Sequence, residues 1–324
     1  MSLKADLISQ LEENENDFLS GEALAMRLGV SRNAIWKTVN ALRSEGFCIE
    51  AVTNKGYRLQ SRGDVLTALG IESFIKTAGV FFVEVRKSVT STNTIMRDMA
   101  AQGAPEGLVL AAQEQTAGKG RQGRSFHSPA KHGVYFSLIL RPGSKSDNAS
   151  LITSAAAVAA ARAIESEIGV SVGIKWVNDL FVGDKKVCGI LTEAVFGMES
   201  GLIESAVLGI GINVTTPEHG FPGEISNVAA ALTDKTAGRN NERVRLIAAT
   251  LDNFWEFYQN LGAREFLREY RERSIITGRD VSVVSFDEIR AARALEIDDN
   301  CGLVVEYENG KRATLNTGEV SIRL

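Results

Sequence analysis

The stretch best equipped for chemistry is Gly118-Lys119-Gly120-Arg121-Gln122-Gly123-Arg124, which is followed by Ser125-Phe126-His127-Ser128-Pro129. Flexible glycines alternate with three cations. Such a loop suits an anion: glycines let backbone N–H groups approach oxygens closely, and the cations neutralise phosphate or carboxylate charge. The loop can stay mobile when empty and order on a ligand. It lacks GxxxxGK[ST] spacing and is not a Walker loop. A solvated basic hairpin is the competing reading. Two lysine-bearing segments follow, Lys175-Trp176-Val177-Asn178-Asp179-Leu180 and Lys185-Lys186-Val187-Cys188-Gly189-Ile190-Leu191, and together they read as a β-hairpin turning at Gly183-Asp184. Gly209-Ile210-Gly211-Ile212-Asn213-Val214 lacks the third glycine of a dinucleotide fingerprint and fits a strand.

Positioning these segments takes a mixed α/β body. Strands are predicted at Val80 to Val85, Gly107 to Gln113, Val134 to Leu140 and Val207 to Val214, and helices at Asn93 to Gln102 and Ser150 to Ile168. A chain of 324 residues leaves room for further domains, since one domain takes about 150. Its 44% hydrophobic and 23% charged residues are those of an ordinary globular protein, which excludes a disordered chain. Leu151 to Ala163, the most apolar run, is mostly alanine and too short for a bilayer, so it reads as a buried helix. No secretory leader pattern opens the chain, and Cys48, Cys188 and Cys301 stand far apart with few histidines. The expectation is a cytoplasmic protein without membrane, disulfide framework or zinc.

A net charge of −4 argues against a whole surface built for nucleic acid, so any such patch must be local. From Arg27 to Arg62 the chain has seven basic residues (Arg27, Arg32, Lys37, Arg43, Lys55, Arg58, Arg62) against two acidic ones (Glu45, Glu50), an excess of five. Leu3, Leu7, Ile8 and Leu11 mark a first helix, and Asn14 to Asp17 break it. Ser20 caps a second helix that Gly29 ends, and Ser31 caps a third running to Gly46. On the third helix Ile35, Val39 and Leu42 form a packing stripe, while Asn33, Trp36, Lys37 and Asn40 form an outer one. Asparagine suits adenine edges and lysine suits guanine or phosphate, as a major-groove reader requires. Cys48 to Val52 and Gly56 to Leu59, joined by Thr53-Asn54-Lys55-Gly56, make a wing. DNA contacts are expected from Ser31, Arg32, Asn33, Lys37, Asn40 and Lys55. The alternative is a packing module with merely solvated charges, and Trp36 reads equally as a DNA contact or as packing on the wing.

Ser91-Thr92-Asn93, Gln115 with GKGRQGR, KWVND, KKVCGIL and GIGINV, in that order, resemble the biotin protein ligase family. The N-terminal SGEALAMRLGVSRNAIWKTVNALRSEGF with NKGYRL resembles the DNA-binding module of its bifunctional, repressor-type members. The fold implied is an α/β (α+β) catalytic domain of the class II aminoacyl-tRNA synthetase-like, biotin ligase type. A winged helix-turn-helix precedes it and an SH3-like β-barrel follows it, with boundaries at 1–64, 65–275 and 276–324. The resemblance places Ser91, Thr92, Asn93 and Gln115 at biotin. It places Lys119, Gly120, Arg121 and Arg124 over biotin and its adenylate, and Gly189 against the biotin ring. Lys186 falls at the reacting carboxylate and phosphate, Asn178 and Asp179 at the nucleotide end, and Asp179 at magnesium. Lys186 and Arg121 are the implied catalytic pair.

The implied substrates are biotin and ATP with Mg²⁺, and the implied partners are a biotin carboxyl carrier protein of the acetyl-CoA carboxylase type, operator DNA and, with adenylate bound, a second copy of the chain. The residue types suit that reaction. A carboxylate attacking the α-phosphorus of ATP brings two anions together, which cations must stabilise, and the acyl adenylate formed needs cover from water until an acceptor lysine arrives. No protein nucleophile is required. Two departures from the family pattern stand out: Val177 where proline is usual, which frees a backbone N–H and φ, and Phe126 where tryptophan is usual, which leaves a smaller aromatic face. Cys188 reads as core rather than as an acyl-transfer nucleophile.

After Ile276, short strands are predicted at Val281 to Phe286, Ala292 to Ile297, Gly302 to Tyr307, Arg312 to Asn316 and Glu319 to Arg323, with a turn at Asn309-Gly310. This part either completes the nucleotide end, meets the acceptor, or is a structural cap. Two other functions stay open: a lipoate or octanoate ligase, which would need a long acyl channel, and a non-catalytic biotin-sensing repressor, which an intact Lys186 and basic loop disfavour.

Overall fold

A computed structural model describes residues 3–14, 17–44, 47–59, 66–143, 149–196, 202–233, 241–285, 288–316 and 319–322. The chain divides into two compact units, Met1–Phe74 with Ala237–Arg245, and Ile75–Thr236 with Leu246–Leu324. Among the described residues no helix is long and apolar enough to cross a membrane.

The first unit begins with helices α1 (Leu3–Glu12), α2 (Gly21–Leu28) and α3 (Arg32–Ser44). Their apolar stripes meet in one core: Leu7, Ile8 and Leu11 from α1, Leu24 from α2, and Ile35, Val39 and Leu42 from α3 are all buried. The helix ends are set by local chemistry. Ser20 Oγ accepts from Ala23 N at 3.0 Å and Ser31 Oγ from Ala34 N at 3.1 Å, each satisfying a first-turn donor. Gly29 is left-handed at φ 65°, and the N–H of Val30 returns to Ala25 O at 3.0 Å, closing α2 in a Schellman turn. The predicted end of the third helix at Gly46 lies outside the described residues, as does part of the Asn14 to Asp17 break.

Strands β1 (Ile49–Val52) and β2 (Gly56–Leu59) pair antiparallel, and Leu19 adds a single-residue bridge to Tyr57. Gly56, at φ 107°, lies where any Cβ would overlap the Leu19 carbonyl. The unit closes with helix α4 (Ala68–Glu72).

The second unit is built on a seven-stranded sheet of β3 (Phe82–Val89), β4 (Leu108–Gln115), β5 (Gly133–Leu140), β6 (Gly173–Lys175), β7 (Asp179–Val182), β8 (Lys185–Phe196) and β9 (Ile203–Asn213). Their order is β3-β4-β5-β9-β8-β7-β6, and only β3 and β4 run parallel, linked through helix α5 (Thr92–Ala101). The alanine-rich run is helix α6 (Ala149–Ile168), buried along most of its length, and helices α7 (Glu242–Gln259) and α8 (Leu267–Glu272) follow.

The first sheet strand ends later than predicted. Apolar alternation stops at Val85, yet Arg86, Lys87 and Ser88 continue the strand exposed, because backbone pairing to β4 persists through Val89↔Gln115. The two lysine segments meet across the expected turn as a hairpin, Asp179 and Leu180 pairing with Gly189 and Cys188, but the first segment also runs beyond it. β7 and β8 form the hairpin, and Lys175 lies on β6 beyond them.

The C-terminal strands β10 (Asp280–Ser285), β11 (Glu288–Ile297), β12 (Leu303–Tyr307), β13 (Arg312–Leu315) and β14 (Glu319–Ile322) form an antiparallel sheet in the order β13-β12-β11-β10-β14. The predicted strand ends at Phe286 and Arg323 lie outside the described residues. The segment between β6 and β7 is braced from two sides: the Trp176 indole donates to Cys301 O, between β11 and β12, at 2.8 Å, and Tyr270 OH of α8 donates to Val177 O at 3.0 Å.

An ion network ties α6 to α8. Arg273 grips Glu165 at 2.7 Å and Glu269 at 2.8 Å, and Arg162 reaches Glu269 at 2.7 Å. The Arg273 hydrogen bond holds Glu165 below its ordinary 4.5; burial opposes the same shift in Glu269, but its two arginines outweigh it. With folded-state values depressed, the unfolded chain takes up protons first. The network's stability is therefore present above pH 4.5 and lost as pH falls through the lowered values. Arg273→Ala is expected to cost about 1–3 kcal/mol at pH 7, an amount discounted for partial exposure, with a smaller deficit in acid. Thermal unfolding at the two pH values measures it.

Candidate functional site

The N-terminus of α5, the end of β4, the glycine-rich loop and the faces of β8 and β9 line a cleft. Ser91, Thr92, Asn93, Gln115, Lys119, Gly120, Arg121, Asn178, Lys186 and Gly189 all line it. Arg124 and Asp179 do not: Arg124 is exposed on the outer arm of the loop, and Asp179 stands behind Lys186, with Oδ1 2.6 Å from Nζ.

One end of the cleft is polar and tightly wired. Thr92 donates to Gln115 Oε1 from its backbone N–H at 2.8 Å and from its hydroxyl at 3.1 Å, and Gln115 Nε2 donates to Ser128 Oγ at 2.9 Å. Ser91 occupies the N-cap of α5 but makes no cap bond, and its 2% exposure faces the cleft. The loop folds as a small hairpin, with Gly120 N donating to Arg124 O at 2.7 Å, Phe126 N to Gly118 O at 2.8 Å, and a bridge between Lys119 and Ser125. From its tip Arg121 crosses to Asn178 Oδ1 at 3.1 Å. Asn178 Nδ2 donates to Ile190 O at 2.8 Å, which fixes which end of that amide meets the guanidinium.

Lys186 is held by its backbone. Its N–H donates to Val228 O at 2.7 Å and its carbonyl accepts from Ala230 N at 2.9 Å, while the β7–β8 register slips beside it, an irregularity that re-aims a side chain. Lys186 and Arg121 thus bring two cations to the end of the cleft opposite Ser91. Buried Cys188 is no rival for chemistry, since burial pushes its thiol far up and removes the thiolate. The Trp176–Val177 peptide is cis and Val177 is buried. Among the described residues no cluster of three His, Cys, Asp or Glu could hold a metal.

Gly209 to Val214 reads in the sequence as a strand and as a motif, without its glycines being assigned to the site, yet they form the floor of the cleft. Gly209 and Gly211 alternate with Ile210 and Ile212 on β9, and Gly189 pairs with Gly211 across β8, so three glycines bare one face of the sheet. A Cβ at Gly211 would stand 2.5 Å from the Phe126 ring, and one at Gly209 would overlap Asn93 Oδ1. The signal was available in the glycine alternation beside Gly189. Ser137, fully buried beneath Thr92 and Asn93, left no such signal.

In the first unit Ser31, Arg32, Asn33 and Lys37 are exposed, Asn40 is half-buried, and Lys55 projects at the wing tip. Ser31 also caps α3. Trp36 is 55% exposed. Two of the basic residues counted there are structural: Arg43 donates to Ile49 O at 2.6 and 2.8 Å, and Arg58 pairs with Glu50 at 2.7 Å while covering the Phe18 ring.

An α/β body whose cleft pairs a polar recess with two cations, carried on one chain with a winged helix-turn-helix, defines a ligand-activating enzyme joined to a DNA-reading module. Residues 85–213 match the biotin/lipoate A/B protein ligase family, and residues 4–58 match an HTH domain. The chain is 34% identical to the bifunctional ligase/repressor BirA of Bacillus subtilis, over 95% of each chain, and 28% identical to that of Salmonella typhimurium, over 98% of this chain and 96% of the other. A biotin protein ligase from Aquifex aeolicus, solved in complex with biotin and ATP, shares the fold at a TM-score of 0.61 and 24% identity, covering 74% of this chain and 98% of that one. The chain belongs to the biotin protein ligase family, among its bifunctional ligase/repressors.

Proposed function

We infer that the protein activates biotin with ATP to biotinyl-5'-AMP, transfers biotin to a lysine of a carrier protein, and represses transcription by binding operator DNA. The observation that carries the catalytic part is the cleft itself. A polar recess at Ser91, Thr92 and Gln115 suits a ureido ring, and Lys186 and Arg121 suit the reacting carboxylate and phosphate. The biotin carboxylate oxygen attacks the α-phosphorus and pyrophosphate leaves. The acceptor lysine's amine then attacks the acyl carbon and AMP leaves. Lys186 and Arg121 neutralise charge where the two anions meet, while Lys119 and Gly120 close the loop over the mixed anhydride and keep water from it.

Asp179 is the residue that would hold magnesium. Its Oδ1 is buried and has no hydrogen bond besides its ion pair with Lys186, and a single carboxylate fits an ion held mainly by substrate phosphates. Magnesium would supply further neutralisation of phosphate charge. Asn178 and Asp179 form the nucleotide end. We assign residues 1–64 to DNA binding, 65–275 to catalysis and 276–324 to a cap that braces the KWVND turn. The partners are a carboxylase carrier protein and, for the adenylate-bound chain, a second copy, so that two winged helices read a two-fold operator from the cytoplasm.

Competition between biotin and lipoate for binding tests the ligand: biotin is expected to be displaced only by excess lipoate, and preferential lipoate binding would reverse the reading. For the DNA role, Ser31, Arg32, Asn33, Lys37 and Asn40 supply the groove face and Lys55 a phosphate contact. Lys55→Ala is expected to make the plot of log affinity against log salt shallower by about two for a dimer, one phosphate contact per protomer, with base preference unchanged. A mobility-shift titration across salt concentrations measures both.

A further inference from the structure

Asn93 lies at the start of α5 at 4% exposure, lines the cleft, and rests against bare Gly209. The two ends of its amide meet different groups. Nδ2 donates to Glu193 Oε2 at 3.0 Å and to Leu191 O at 3.3 Å, and Oδ1 accepts from Ser137 Oγ at 2.6 Å. A carboxylate and a carbonyl only accept, so the flipped amide would set oxygen against oxygen at both. The single Ser137 proton is shared between Asn93 Oδ1 and, at 2.8 Å, Thr92 Oγ1, whose own proton goes to Gln115. The donors and acceptors at the polar end of the cleft therefore form one ordered chain that ends at Glu193, whose other oxygen faces Arg97 at 3.5 Å.

We propose that Glu193 and Ser137 are positioning residues that lock the Asn93 amide and the Thr92 hydroxyl, and so set the hydrogen-bond pattern that recognises the biotin head. The proposal rests on the biotin ligase reading. Neither residue reaches the cations at the other end of the cleft, so their effect falls on biotin and not on ATP. Removing the Glu193 carboxylate frees the amide to turn. Removing the Ser137 hydroxyl leaves a buried Oδ1 without its donor.

The test is steady-state pyrophosphate release by the full chain and its Glu193→Ala, Glu193→Gln and Ser137→Ala variants, with biotin and ATP varied separately. Glu193→Ala and Ser137→Ala are expected to raise the KM for biotin about tenfold, with kcat and the KM for ATP held within about twofold. Glu193→Gln, whose amide oxygen still accepts from Asn93, restores the KM for biotin to within about threefold of the natural value. Unchanged biotin KM in both alanine variants overturns the proposal, as does an equal rise for biotin and ATP, or a Glu193→Gln defect as large as that of Glu193→Ala. Should Ser137→Ala fail to fold, the two Glu193 variants decide alone, because that carboxylate is only partly buried. A natural protein with no biotin-dependent release removes the ligase reading itself, an outcome distinct from all of these.

Discussion

Lys186→Ala is expected to lower kcat for biotin-dependent pyrophosphate release by about a thousandfold while leaving the thermal midpoint nearly unchanged. Two effects combine. The ammonium that neutralises the crowded carboxylate and phosphate is gone, and Asp179, 2.6 Å from that ammonium in the natural chain, is left as an unpaired negative charge behind the phosphate. The fold should tolerate the change, because Val228 and Ala230 hold position 186 through its backbone and the side chain is 31% exposed. Comparable activity in Lys186→Ala and the natural protein would take Lys186 out of the chemistry.

Gly209→Ala should be nearly as damaging, by a different route. A methyl group there overlaps Asn93 Oδ1, and Asn93 has nowhere to go while Ser137, Leu191 O and Glu193 hold it. The backbone at Gly209 is ordinary strand, so the cost is steric and falls on the biotin end: a KM for biotin raised about a hundredfold, with ATP binding retained. Gly211→Ala is expected to be milder, about tenfold, since its methyl meets the Phe126 ring on a loop that can give. Separate titrations of biotin and ATP distinguish this from general misfolding, in which both would fail together.

What the sequence disclosed follows the range of the forces involved. The caps at Ser20 and Ser31 and the left-handed Gly29 act within a few residues, and all three were legible, as was the buried alanine helix. Strand extents were less so. Arg86 to Ser88 carry no apolar pattern and belong to β3 only because β4 pairs with them. Arg43 looked like surface charge, but contact with Ile49 O assigns it to the wing. Within the cleft, motif resemblance pointed to residues with distinctive neighbours in sequence, such as Lys186 and Arg121. Ser137 and Glu193 reach Asn93 from strands far along the chain, and a lone serine in an apolar strand carries no local mark. Arg124 shows the reverse: its motif position suggested the cleft, and the loop hairpin turns it outward.

The most direct test of the central claim is pyrophosphate release from ATP and Mg²⁺ by the natural protein supplied with biotin, lipoate or neither. Release that requires biotin, with lipoate no better than the blank, is the result expected of a cleft that closes on a compact ureido head and activates its carboxylate. Release with lipoate alone, or none with biotin, would contradict the account, the first making the cleft an acyl channel and the second leaving a sensor without chemistry.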